Sequence, residues 1–114
     1  NIGESSMPIV FETIAYDNRK LRLTEVQWMH IVFFHPEITE VKKRIKETIK
    51  NPDVVIEGAT RDTKLCYKLY HSTPVASSKY LTIVIRILNE EGFIITSYFT
   101  ERVKRGKILW RKTK

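Results

Sequence analysis

The stretch Tyr80-Leu81-Thr82-Ile83-Val84-Ile85-Arg86-Ile87-Leu88-Asn89-Glu90-Glu91-Gly92-Phe93-Ile94-Ile95-Thr96-Ser97-Tyr98-Phe99-Thr100 decides the fold. Apolar residues recur in it at every second position, the repeat at which a strand returns side chains to one face. Leu81, Ile83, Ile85 and Ile87 share one face of its first half; Tyr80, Thr82, Val84 and Arg86 share the other. In its second half Phe93, Ile95, Ser97 and Phe99 alternate with Ile94, Thr96, Tyr98 and Thr100. Asn89-Glu90-Glu91-Gly92 between them is a turn, with Gly92 available for a positive φ. The two halves therefore make a long antiparallel hairpin.

Before this hairpin, Lys64 to His71 also alternates, with Leu65, Tyr67 and Leu69 against Cys66, Lys68 and Tyr70. Ser72 to Ser78, with Pro74, is a loop. Val54 to Glu57 is a short strand, and Gly58 to Asp62 a turn. Consecutive strands joined by short turns give an antiparallel meander. Upstream the period lengthens. Thr24 with Gln27 three residues later is a capping box, whose hydroxyl and amide satisfy free backbone N–H groups, and a helix runs from there to about Phe34. Val26, Met29 and Val32 or Phe33 lie on one of its faces, broadened by Trp28 and Ile31. Pro36 suits the first turn of a second helix. Ile38, Val41, Ile45 and Ile49 set its core stripe, and Asn51-Pro52-Asp53 ends it. Before the helices, Pro8 to Ala15, a turn at Tyr16 to Arg19, and Leu21 and Leu23 form a hairpin.

The 114 residues fit one domain spanning 1–114. A hydrophobic fraction of 42% with 29% charged residues is that of a globular chain rather than a disordered one. One cysteine, Cys66, excludes an internal disulfide and suits a reducing, cytoplasmic compartment, where it reads as a core filler. No run approaches the ~18 apolar residues of a membrane span. The polar start, residues 1–7, lacks the apolar core of a signal peptide and is expected to be flexible. The charge is uneven: residues 101–114 hold seven lysines and arginines against Glu101 alone, and so carry six of the net seven positive charges. Such a basic C-terminal segment, with Arg102, Lys104, Arg105 and Lys107, attracts polyanions, nucleic acid first among them.

The polar sheet face carries Lys68, Tyr70, Thr82, Arg86, Thr96, Tyr98 and Thr100 by this alternation. Arginine forks a phosphate, hydroxyls add donors and rings stack bases, so the set suits RNA. The plain alternative is the wet outer face that any antiparallel sheet has. His30, late in the first helix, and His35, at the helix junction, supply imidazoles of the kind that act as general base or acid near neutral pH. Five residues apart and split by Pro36, they do not have the i, i+4 spacing of a zinc helix, and neither metal nor cofactor is expected. No glycine-rich phosphate loop or Gly-x-Ser-x-Gly elbow occurs.

Leu23-Thr24-Glu25-x-x-Trp28-x-His30-Ile31, His35-Pro36-Glu37 and Ile45-x-x-Thr48-Ile49-x-Asn51-Pro52-Asp53 resemble a family of small phage and prokaryotic proteins grouped with the barnase–EndoU–colicin–RelE-like nucleases. Tyr67-x-x-Tyr70, Tyr80-Leu81, Ile95-Thr96-Ser97-Tyr98-Phe99-Thr100 and Gly106-Lys107-Ile108-Leu109-Trp110 extend the likeness over residues 16–112. The resemblance implies an α+β fold of two helices on a four-stranded antiparallel sheet. It also implies metal-independent RNA cleavage, as a toxin paired with an acidic antitoxin or immunity protein, or as a phage-borne effector. His30 or His35 would then act with Arg86, Thr96 and Tyr98, while Lys68, Tyr70, Arg102, Lys104, Arg105 and Lys107 hold the RNA. A helix histidine reaches the outer sheet face only around an edge or through strong curvature. A non-catalytic RNA-binding or regulatory module on the same fold is the alternative, and an interaction domain for an acidic partner a third.

Overall fold

The computed structural model describes residues 8–113; the segment 1–7, expected to be flexible, lies outside them. The class is α+β. Strands β1 (Ile9–Ile14) and β2 (Lys20–Thr24) form the N-terminal hairpin. Helix α1 (Glu25–Phe34), a 3-10 helix (Pro36–Val41) and helix α2 (Lys42–Lys50) follow. Then come β3 (Val54–Glu57), β4 (Thr63–Tyr70), β5 (Lys79–Leu88), β6 (Glu91–Thr100) and β7 (Ile108–Arg111).

The meander β3–β4–β5–β6 forms as the alternation predicts, but the sheet is not a four-stranded antiparallel one. It has seven strands in the order β1-β2-β6-β5-β4-β3-β7, and it is mixed. Both edges of the meander present unpaired N–H and C=O groups, which further strands can satisfy. At one edge β2 joins β6 in parallel, through Leu21–Gly92 and Arg22–Phe93. At the other, β7 pairs antiparallel with β3.

The helices cover one face. Ile38, Val41, Ile45 and Ile49 are all buried, against Cys66, Leu81, Ile83, Ile85 and Ile94 of the sheet. The first half of the expected second helix is wound as 3-10. At three residues per turn, Ile38 and Val41 lie above one another and both face the sheet. In α1 the expected face is wrong: Val26, Met29 and Phe33 are 60%, 69% and 79% exposed, and Ile31 is the buried residue. The helix is apolar nearly all round, so periodicity cannot choose its inner side. Contact with β6 chooses it instead. Thr24 Oγ1 caps the Gln27 N–H at 3.2 Å, but the Gln27 amide, expected to complete the capping box, donates to the Ile95 carbonyl of β6.

Two strand faces also differ from expectation. In β4, Cys66 lies opposite Ile83, Lys68 opposite Leu81 and Tyr70 opposite Lys79, which turns these three toward the helices. Leu65 and Tyr67 instead meet Val54 and Ile56 in a second apolar cluster on the other face. Both faces of β4 are covered, so alternation alone cannot say which is inner. In β6 an irregularity in the pairing opposite Val84 and Ile85 places Ile94 in the core together with Ser97, three residues on. The β5–β6 turn takes its positive φ at Asn89 (50°) and Glu90 (71°), not at Gly92. Gly92 is required for a different reason: a Cβ there would lie 2.0 Å from Leu21 Cδ2 and 3.0 Å from the Lys20 carbonyl.

After β6, residues 101–107 cross the sheet on the face opposite the helices. Val103 packs on the second cluster, and the Lys104 N–H donates to the Tyr67 hydroxyl at 3.3 Å. This strap delivers β7 to β3, where Trp110 meets Tyr16 at a ring distance of 5.2 Å. No helix among the described residues is long and apolar enough to cross a membrane.

Candidate functional site

Because β2 pairs only with the start of β6, the rest of that strand's outer edge is left to α1. The Gln27 amide closes part of this edge by taking the Ile95 carbonyl. The end of α1 then brings His35 around the edge. Its ring lies 5.6 Å from the ring of Tyr98, tilted by 36°. His35 is half-buried, and its backbone N–H is fixed to the Ile31 carbonyl at 2.7 Å. On its other side, Nδ1 stands 3.9 Å from a carboxylate oxygen of Glu37. The imidazole therefore has a carboxylate and a phenol as near neighbours.

Tyr98 sits opposite Thr82 and Thr96 opposite Val84, both on the sheet face away from the helices. Arg86 shares that face, opposite Thr63. A hollow of about 390 Å³ opens there, with Tyr98, Arg86 and Lys104 of the strap on its walls, and Thr60 of the β3–β4 connection and Thr63 at the start of β4 beside them. Burial holds the Tyr98 phenol proton above its ordinary range, so the hydroxyl is a proton donor at neutral pH. Arg86 is exposed and forms no ion pair among the described residues, which leaves its guanidinium open to a ligand. Arg102, Lys104, Arg105 and Lys107 are likewise exposed on the strap and without an ion pair among those residues.

Three expected site residues lie elsewhere. His30 is exposed on α1, its ring 4.7 Å from that of Phe34. Lys68 and Tyr70 are on the helix side of β4. Lys68 Nζ donates to the Asn51 carbonyl at 3.1 Å. The Tyr70 hydroxyl donates to Glu47 Oε1 at 2.5 Å, and Arg44 lies 4.6 Å over its ring. Burial, then the bond to Glu47, holds the Tyr70 proton far above the ordinary phenol range. These two residues anchor α2 to the sheet and face away from the hollow.

Glu37, Gln27, Thr60 and Thr63 are members or supports of the site that the residue pattern did not single out. Glu37, two residues beyond His35, was visible as a neighbour. The threonines share a hollow with Tyr98 only because β4 pairs with β5 and β5 with β6. Among the described residues, no three His, Cys, Asp or Glu side chains gather as metal ligands would. Comparison with protein-family models, with curated proteins and with solved structures finds no match for the chain.

Proposed function

We propose that this chain is a metal-independent endoribonuclease that works on the outer sheet face, with His35 and Tyr98 as its proton-transfer pair. The observation that carries this reading is the His35–Tyr98 contact at the rim of a hollow walled by Arg86 and Lys104. In the reaction His35 takes the proton of a ribose 2′-hydroxyl, and that oxygen attacks the adjacent phosphorus. Arg86 and Lys104 stabilise the negative charge that builds on the phosphorane. Tyr98 gives its proton to the departing 5′ oxygen, and Thr96 orients the phosphate. The products are a 2′,3′-cyclic phosphate and a free 5′-hydroxyl. In a cytoplasmic toxin setting, a short acidic antitoxin or immunity protein would neutralise the same cations.

The test is cleavage of total RNA and tRNA in excess EDTA. The native chain is compared with folded His35→Ala, Tyr98→Phe, Arg86→Ala and His30→Ala variants. The expected result is full native cleavage in chelator, a loss of about 10²-fold or more for His35→Ala, and a nearly native rate for His30→Ala. Binding without cleavage by the native chain would replace this reading with that of a non-catalytic RNA-binding module. The exposed strap cations outside the hollow favour that second reading.

A further inference from the structure

A second, larger hollow of about 920 Å³ lies between the strap and the β3–β7 edge of the sheet. This is within the range of pockets that enclose a small organic molecule. Its floor is apolar, from Val54, Ile56, Val103 and Ile108, with Tyr80 alongside. Its rim carries Lys104, Arg105, Arg111 and Lys112. Asp53 is the one acid in the lining; its Oδ2 accepts the Leu69 N–H at 2.7 Å, which leaves its other oxygen as an acceptor. Main-chain bonds hold the cleft in shape. Lys104 N–H donates to Tyr67, Glu57 N–H to the Lys107 carbonyl at 2.9 Å, and Lys112 N–H to the Asp53 carbonyl at 3.0 Å.

The geometry points to this cleft as a subsite for one unpaired nucleotide flanking the bond that is cut, with its base on the apolar floor and its phosphates on the cationic rim. The inference rests on the ribonuclease reading, because Lys104 lines both hollows and a strand held in one continues into the other. Four cations against one acid suit a polyanion, whereas a ligand with a single carboxylate leaves most of them unanswered. An apolar floor with one acceptor beside it suits a flat ring that bears an N–H on its edge. Base-paired RNA keeps its bases stacked inside the helix and cannot fill such a floor, so the cleft selects single strands.

The probe is a fluorescent RNA octamer methylated at every 2′ oxygen, which cannot be cut by 2′-hydroxyl attack, together with the same octamer lacking its bases. Anisotropy titration of the native chain should show binding at least tenfold weaker for the abasic octamer. Ile108→Asn, a neutral change at a side chain 48% exposed, should bring the intact octamer down toward the abasic level while leaving the abasic octamer unaffected. The Arg111→Ala/Lys112→Ala double variant should weaken both probes and lower the log–log salt slope by about 1.4, at roughly 0.7 per phosphate contact on a single strand. Equal binding of the two octamers overturns the proposal, as does a polyglutamate octapeptide that displaces the intact octamer as well as unlabelled octamer does. The octamer reports binding alone: absent cleavage of ordinary RNA removes the catalytic reading, while equal binding of the octamers beside intact cleavage removes only the cleft.

Discussion

His35 has two neighbours that position its ring, the Glu37 carboxylate and the Tyr98 phenol. The Glu37 carboxylate lies 3.9 Å from Nδ1 and faces the edge of the ring. The Tyr98 ring at 5.6 Å limits where the imidazole can swing. Glu37→Gln keeps the shape and removes the charge, and is expected to lower kcat several-fold with little change in KM. An unchanged kcat would mean that the carboxylate merely fills space. Tyr98 supports a second expectation. Burial raises its pKa above the ordinary 10, so the folded chain keeps the phenol protonated through neutral and mildly alkaline pH. Any alkaline loss of kcat that comes from Tyr98 must therefore fall above pH 10 and must disappear in Tyr98→Phe, which retains only the residual rate. A fall centred below pH 9 that Tyr98→Phe also shows would assign it to another group. The shared outer face of Arg86, Thr96 and Tyr98 was legible from alternation, and His35 was legible only as one of two candidate imidazoles beside His30. Lys68 and Tyr70 were not, because β4 is covered on both faces and residue type does not say which side the helices take.

At the scale of elements, the position of α1 depends on a strand that precedes it. The parallel β2–β6 contact fixes where β2 ends, and α1 begins at the next residue. That contact is close enough to require glycine at position 92. Gly92→Ala should destabilise the fold by about 1–3 kcal/mol through overpacking against Leu21, and should reduce cleavage beyond what the unfolded fraction explains, because His35 is carried with α1. Glu90→Gly is the opposite case. Glu90 holds a left-handed φ of 71° that a side chain disfavours, so relief there should stabilise by about 0.5–1 kcal/mol and leave the cleavage rate alone. Urea midpoints and cleavage rates on the same preparations separate the two. The helix stripe at Ile38, Val41, Ile45 and Ile49 and the four meander strands could be read locally, since each is a periodic pattern. The orientation of α1, the irregularity at Ile95 and strand β7 could not. An all-apolar helix has no marked face, the extra residue in β6 shows only against β5, and Ile108–Arg111 becomes a strand only because β3 has a free edge.

Across the whole molecule, the strap and the helices enclose phenols and a thiol whose protons are hard to remove. Burial pushes the Cys66 thiol up to about 12, and it raises Tyr67, Tyr98, Tyr16 and Tyr70 above the ordinary phenol value. In the unfolded chain the thiol releases its proton near its ordinary 9 and the phenols near 10. Above these values the unfolded state binds fewer protons than the folded one, so the free energy of unfolding falls as pH rises. The stabilisation is fully present below pH 9, and its loss continues to about pH 12 and beyond. Each fully contributing group adds a slope of at most about 1.4 kcal/mol per pH unit, reduced where solvent screens a half-buried phenol. Urea midpoints should thus be flat from pH 7 to 8.5 and drop steeply between pH 9.5 and 11. The absorbance of ionised tyrosine should appear with unfolding rather than before it. Phenol ionisation that runs ahead of the loss of secondary structure would show that these side chains exchange freely with solvent, and that the strap lifts from the sheet more readily than its bonds to Tyr67 and Glu57 imply.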